Sequence, residues 1–162
     1  MSHQSLSSLS SESSLRSPTN ISLLSSGSSP KSPATPLPVQ TNTPRSELEA
    51  TFFSYISSEN IDACISYVTT PAYKTWLFRD EDNYSALHHS TYINDFNFTC
   101  TIISETKANA SNSEFEELIN ARSSKGFTAL HYAVYRGNIK TIKLLLDNGA
   151  DLFCRNNTGL TL

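Results

Sequence analysis

Gly126-Phe127-Thr128-Ala129-Leu130-His131-Tyr132-Ala133, then Arg136-Gly137-Asn138-Ile139, then Leu144-Leu145-Leu146 and Asp147-Asn148-Gly149-Ala150-Asp151, is the stretch that decides the fold. Thr128 is a good N-cap, with a hydroxyl free to satisfy amides at a helix start. Leu130, Ala133 and Val134 fall at i, i+3 and i+4, one face of a short first helix. Gly137 can take the positive φ that stops it. Ile139, Ile142, Leu145 and Leu146 form the stripe of a second amphipathic helix, and Gly149 ends that one. Small Ala133 lets helices approach closely. The pattern restarts at Gly159-Leu160-Thr161-Leu162, and Gly126 to Gly159 is a spacing of 33. A period of that length marks a solenoid of stacked helical units.

Working upstream, Asn83-Tyr84-Ser85-Ala86-Leu87-His88-His89-Ser90 aligns on Gly126 through Ala133, and Asn94 falls at the place of Gly137. Asn is the other residue that visits positive φ readily, so both replacements are physically consistent. Phe96, Ile102 and Ile103 match Ile139, Leu145 and Leu146. The spacing here is 43, about ten residues longer, and the polar run Lys107–Ser113 predicts an inserted loop ahead of Glu114–Asn120. Further back, Phe52, Tyr55, Ile56, Asn60-Ile61, Cys64 and Tyr67-Val68 match a third copy, with bulky Tyr55 at the small-residue position. That copy reads as a helical pair capping the array, since terminal repeats are atypical.

These residues resemble the ankyrin repeat: Gly-x-Thr-Pro-Leu-His-x-Ala, a Gly between the helices, a Leu-Leu pair, then Gly-Ala-Asp. Ala129 departs from the pattern, standing where the family favours Pro. The resemblance covers 47–162 and implies an all-α, helix-turn-helix ankyrin solenoid behind a disordered Ser/Pro-rich tail at 1–46. It divides the folded part into a degenerate capping pair at 47–79, a degenerate repeat at 80–122 with an inserted loop at about 105–113, a complete repeat at 123–155, and the start of a truncated one at 156–162. It implies that His88 and His131 make backbone hydrogen bonds between neighbouring repeats. It also implies a concave binding surface of turn tips and first helices. The matching positions include Lys125, Phe127, Tyr135 and Arg136 in the complete repeat and Tyr84 and Tyr92 in the degenerate one. Aromatics and Arg dominate interface energies, which makes these six the candidate protein-binding residues.

Composition separates the tail from the rest. Residues 1–46 hold 16 serines, six of the seven prolines and no aromatic residue, too little apolar surface to offset the lost chain entropy. Arg16, Lys31 and Arg45 against Glu12 give the tail a net +2, whereas nine basic and 14 acidic residues give the remainder −5. An acidic folded region without a basic stripe argues against nucleic-acid binding. The tail's Ser17-Pro18, Ser29-Pro30, Ser32-Pro33, Thr35-Pro36 and Thr43-Pro44 present hydroxyls on extended backbone, a shape suited to proline-directed kinases.

Chemistry is sparse. Cys64, Cys100 and Cys154 are odd in number and far apart, which predicts buried free thiols in a reducing compartment, the cytoplasm or the nucleus, with no disulfide framework and no zinc site. His88 and His89 are adjacent and point about 100° apart on a helix, so they cannot chelate from one face. Glu114, Glu116 and Glu117 read as a solvated helix start. No nucleophile elbow, P-loop or zincin motif occurs, so the expectation is no enzyme, no cofactor and no metal. No secretory leader or 18-residue apolar run is present, so no membrane insertion is expected. The expected function is a protein-interaction scaffold or adaptor with an unidentified protein partner and a phosphoregulated tail. The alternative is the N-terminal ankyrin segment of a larger effector, such as a DHHC-type palmitoyltransferase, an ion channel or a kinase. The unfinished repeat at 156–162 and the partly uncovered Leu144–Leu146 predict a fragment of a longer protein.

Overall fold

The computed structural model describes residues 43–162. Most of the expected tail, with four of its five Ser/Thr-Pro dipeptides, lies outside the described residues. Among the described residues every regular element is helical: α1 Arg45–Ser57, α2 Ile61–Val68, two 3-10 turns at Pro71–Tyr73 and Thr75–Leu77, α3 Ala86–Ile93, α4 Phe96–Asn109, α5 Asn112–Ile119, α6 Ala129–Tyr135 and α7 Ile139–Asp147. The first helix starts at Arg45, two residues before the expected boundary. Pro44 is extended at the N-cap, and its carbonyl accepts from the amides of Glu47 and Leu48 at 3.0 and 3.3 Å. Arg45 and Glu49 then pair one turn apart at 2.8 Å.

The helices work in antiparallel pairs: α1 with α2, α3 with α4, α6 with α7. The inner helices α3 and α6 pack on each other, and the outer helices run α2 to α4 to α7. One continuous core joins them through Phe52, Phe78, Leu87, Phe98, Ile102, Leu118, Leu130 and Leu145. At the small-residue position Ala133 is fully buried, and its counterpart Ser90 fits because its hydroxyl donates to the Leu87 carbonyl and accepts from Thr99. Asn94 closes α3 at φ +68, matching Gly137 at φ +67, so Asn does the work of Gly in the degenerate repeat.

The expected loop at about 105–113 is not a loop. Helix α4 continues through Asn109, and α5 begins at Asn112 after a break at Ala110 and Ser111. The cause is burial the polar run concealed. Thr106 faces the core with its hydroxyl satisfied by the Ile102 carbonyl at 2.7 Å, so the helix is extended by a buried residue. Ser111 and Glu114 then form a reciprocal cap, the Ser111 amide reaching Glu114 Oε2 at 2.8 Å. Phe115, Leu118 and Ile119 give α5 an apolar face that packs on α4 and on the turn carrying buried Trp76.

Between the pairs the chain forms short turned fingers. Asp80 N–H donates to the Tyr84 carbonyl, Ser123 to that of Phe127 and Asn156 to that of Leu160 at 3.0, 2.9 and 2.9 Å. Adjacent fingers are stitched by Ser124 N–H to Asp82 O and by Asn157 N–H to Lys125 O. A side chain at Gly126 would meet Asn157, whose backbone nitrogen lies 2.7 Å from the position of a Cβ, so the stitching itself requires glycine there. The stripe expected on the last pair is only half covered. Leu145 is fully buried, but Val134, Ile139 and Leu146 are 40, 62 and 37 % exposed, because among the described residues no further helix lies against them.

Candidate protein-binding face

Two inner helices and two fingers build one aromatic surface. His89 and Tyr92 sit one turn apart on α3, and Tyr132 and Tyr135 take the same register on α6. Tyr84 and Phe127 enter from the fingers just before each N-cap. Tyr132 lies at the centre: its ring centroid is 6.0 Å from Tyr84, 5.8 Å from Tyr92 and 5.7 Å from Phe127. Its hydroxyl donates to the Tyr84 oxygen at 3.0 Å. Burial, followed by that hydrogen bond, pushes the Tyr132 phenol well above the usual tyrosine range, so it stays protonated. A pocket of about 290 Å³ opens among Tyr84, His88, His89, Tyr92 and Tyr132. The Arg136 guanidinium covers one face of Tyr92, 4.5 Å from the ring centroid.

Through His89 the pocket continues into a second groove of about 450 Å³ between α1 and the first finger, lined by Glu49, Phe53, Arg79, Asp80, Glu81 and Asp82. His89 Nε2 contacts Asp80 Oδ2 at 2.8 Å and its ring packs on Phe53. Asp80 Oδ1 accepts from the amides of Asp82 and Tyr84, which fixes the finger. Arg79 is turned inward, donating to the carbonyls of Trp76 and Phe78 at 2.9 and 2.8 Å. Among the described residues the exposed carboxylates of Glu81 and Asp82 make no hydrogen bond or ion pair, so the groove is acidic.

The scaffold beneath is held by His88. The amide of Ser85 donates to its Nδ1 at 3.1 Å, so that nitrogen is an unprotonated acceptor and Nε2 carries the hydrogen. Nε2 then donates to the Phe127 carbonyl at 3.0 Å, tying α3 to the next finger. Burial depresses the His88 pKa from 6.5 to about 4, and protonating Nδ1 would also sever its bond with Ser85. His131 repeats the first half: Thr128 N–H donates to its Nδ1 at 3.1 Å. Its Nε2 is buried and has no hydrogen-bond partner among the described residues; burial lowers the His131 pKa, an effect the nearby Leu160 carbonyl, which takes the place of Phe127 but lies outside hydrogen-bond geometry, offsets only in part.

Of the six residues singled out from sequence, Tyr84, Tyr92, Phe127 and Arg136 come together around Tyr132. Tyr135 stands apart at 79 % exposure, and Lys125 is exposed on the tip of the second finger. Sequence reasoning missed Tyr132, His89 and Asp80. The i, i+3 pairs His89/Tyr92 and Tyr132/Tyr135, 43 residues apart, carried the signal for the first two. The three thiols are free, but only Cys64 is fully buried, and burial pushes its pKa to about 12; Cys100 and Cys154 are only partly buried. Among the described residues no group of three or more His, Cys, Asp or Glu is arranged to hold a metal, and no helix is long and apolar enough to cross a membrane.

The sequence profile of ankyrin repeats matches residues 54–156 as three copies. The chain belongs to the ankyrin-repeat family. It is 38 % identical over 74 residues to a putative ankyrin repeat protein of Acanthamoeba polyphaga mimivirus, covering 46 % of this chain and 8 % of the relative. It is 49 % identical over 49 residues to the mitochondrial disaggregases of Bos taurus and Homo sapiens, covering 30 % of this chain and 7 % of each. The matched segments thus span less than a tenth of the length of these relatives. In fold it is similar to a chain in the crystal structure of the yeast ribosomal protein Rps3 in complex with its chaperone Yar1, with a TM-score of 0.64, 23 % identity, and coverage of 74 % of this chain and 81 % of that one.

Proposed function

We propose that this ankyrin chain is an adaptor that holds a protein partner on the face formed by α3, α6 and the fingers before them. The observation that carries the reading is the aromatic surface itself. Tyr84, Tyr92 and Phe127 converge on Tyr132, Arg136 covers Tyr92, and Tyr92 and Tyr135 remain 52 and 79 % exposed. Aromatic and arginine side chains on a rigid concave support are the usual anchors of protein interfaces. No catalytic residue, cofactor or metal enters this reading. Free thiols favour a reducing compartment, the cytoplasm or the nucleus. Phosphorylation of the tail's Ser/Thr-Pro sites would add negative charge to the segment that precedes α1 in the chain and so modulate binding. Cross-linking from native cells tests the face. Partners recovered by the wild type are expected to be lost from a Tyr92→Ala, Tyr135→Ala double variant that keeps its helical circular dichroism. Unchanged recovery removes the assignment.

A second reading, the ankyrin segment of a larger effector, is favoured by one observation: in the relatives, the matching segment is 7–8 % of the chain. Sequencing the transcript downstream of Leu162 decides it, and an immediate stop codon in native messages would end that reading.

A further inference from the structure

We propose that the partner segment held on this face is basic: one of its lysine or arginine side chains lies against the tyrosine pocket, and a neighbouring cation meets Glu81 and Asp82. The inference rests on the protein-binding reading and deepens it by naming the chemistry of the ligand. Three observations carry it. First, the pocket is lined by the rings of Tyr84, Tyr92 and Tyr132, with Tyr132 centroid distances of 6.0 and 5.8 Å to the other two and the Tyr84 and Tyr132 hydroxyls 3.0 Å apart, aromatic surroundings of the kind in which an ammonium or guanidinium is held by ring quadrupoles. Second, the protein itself places a cation on this wall. Arg136 covers Tyr92 at 4.5 Å, which shows the ring accepting a charged partner, and the edge-to-face rings of Tyr84 and Tyr132 lie beside it. Third, the pocket runs through His89 into the groove bearing Glu49, Asp80, Glu81 and Asp82. Its one guanidinium there, Arg79, is held inward by two carbonyls. Glu49 is paired with Arg45 and Asp80 with the finger and His89, which leaves Glu81 and Asp82 as exposed charges with no partner among the described residues, facing an incoming chain. Lys125 and Arg136 belong to the next repeat, so the acidic groups lie on the α1 side of the pocket, which would give an extended basic segment a direction.

The binding of fluorescein-labelled synthetic peptides to the full chain at physiological salt tests this. The probes are peptides of equal length alternating glycine with lysine, with glutamate or with proline. The lysine peptide is expected to bind, and to lose about tenfold in affinity with Tyr92→Ala, an exposed ring whose removal leaves the core intact, as a cation–π contact of intermediate strength requires. Charge reversal by Glu81→Lys with Asp82→Lys is expected to lose at least as much. The same change in net charge at Glu116→Lys with Asp147→Lys, away from the groove, is expected to leave affinity within twofold. Equal losses from both charge reversals would mean diffuse attraction and overturn the proposal. So would a lysine peptide that binds no tighter than the others, or one insensitive to Tyr92→Ala. Tyr92-dependent binding of the glutamate or proline peptide would overturn the basic partner and leave the protein-binding face standing. That face fails separately, in the cross-linking experiment.

Discussion

In the α3/α4 pair the imidazole of His88 is satisfied at both nitrogens, and Ile103 on the outer helix is 3 % exposed. In the α6/α7 pair His131 is satisfied at one nitrogen only, and Leu146, the counterpart of Ile103, is 37 % exposed. Yet the second pair has the better repeat sequence, and the first replaces its glycines with Asn83 and Asn94 and its small residue with Ser90. A good consensus marks an interface that any neighbouring repeat could use. It does not say that the interface is covered. A repeat packed on both sides can drift, because each substitution is accommodated by fixed neighbours, as Ser90 is by Thr99 and Leu87.

This contrast can be broken by equivalent substitutions in the two pairs. Ile103→Ala is expected to destabilise the chain by about 2–5 kcal/mol in urea denaturation, the range for emptying a packed site. Leu146→Ala should lower stability by about 1 kcal/mol or less, since part of that side chain is already in water. Equal losses would show that the outer face of α7 is covered in solution.

The histidines sharpen the comparison through pH. His88 is depressed from 6.5 to about 4 in the folded chain. Above 6.5 both states are neutral there and the stabilisation is complete. As the pH falls toward 4 only the unfolded chain takes up the proton, so stability drops, on the order of 3 kcal/mol in all, and levels off below. Urea midpoints measured from pH 7 to pH 4 should show that slope, with His88→Gln losing most of it. His131→Gln should alter the slope less. A wild type and His88→Gln that fall in parallel would remove His88 as the cause.

The smallest effect tests likeness rather than difference. Asn94 and Gly137 end their helices at φ +68 and +67, and no atom lies within 4 Å of a Cβ built on Gly137. Replacing either by Ala should therefore cost about 1 kcal/mol, from left-handed backbone alone at Gly137 and with the loss of the bond from Asn138 added at Asn94. A loss several-fold larger at Asn94 would mean that its contact with Asn138 carries more of the turn than its backbone does.

Much of the array could be read directly. Period, caps and apolar spacing placed the pairs α3/α4 and α6/α7, because those signals are local and each helix advertises its own ends. The helix start at Glu114 was legible, but the end of α4 was hidden because Lys107–Ser113 offers only Ala108 and Ala110 among polar residues, and the buried positions that keep this stretch helical are Thr106 before it and Phe115, Leu118 and Ile119 after it. The binding face was half legible. Tyr84, Tyr92, Phe127 and Arg136 followed from their register, but Tyr132 was passed over as an unspecified position within the motif.

What the sequence determined by itself, then, was the repeat and its helix boundaries, since capping, glycine turns and the 33-residue period act over a few residues of chain. The tertiary structure decided which copy is buried, where His88 finds its second partner, and that Tyr132 joins two repeats 43 residues apart into one pocket. Those outcomes depend on groups brought together by stacking, from positions whose spacing along the chain holds no record of the distance between them in space.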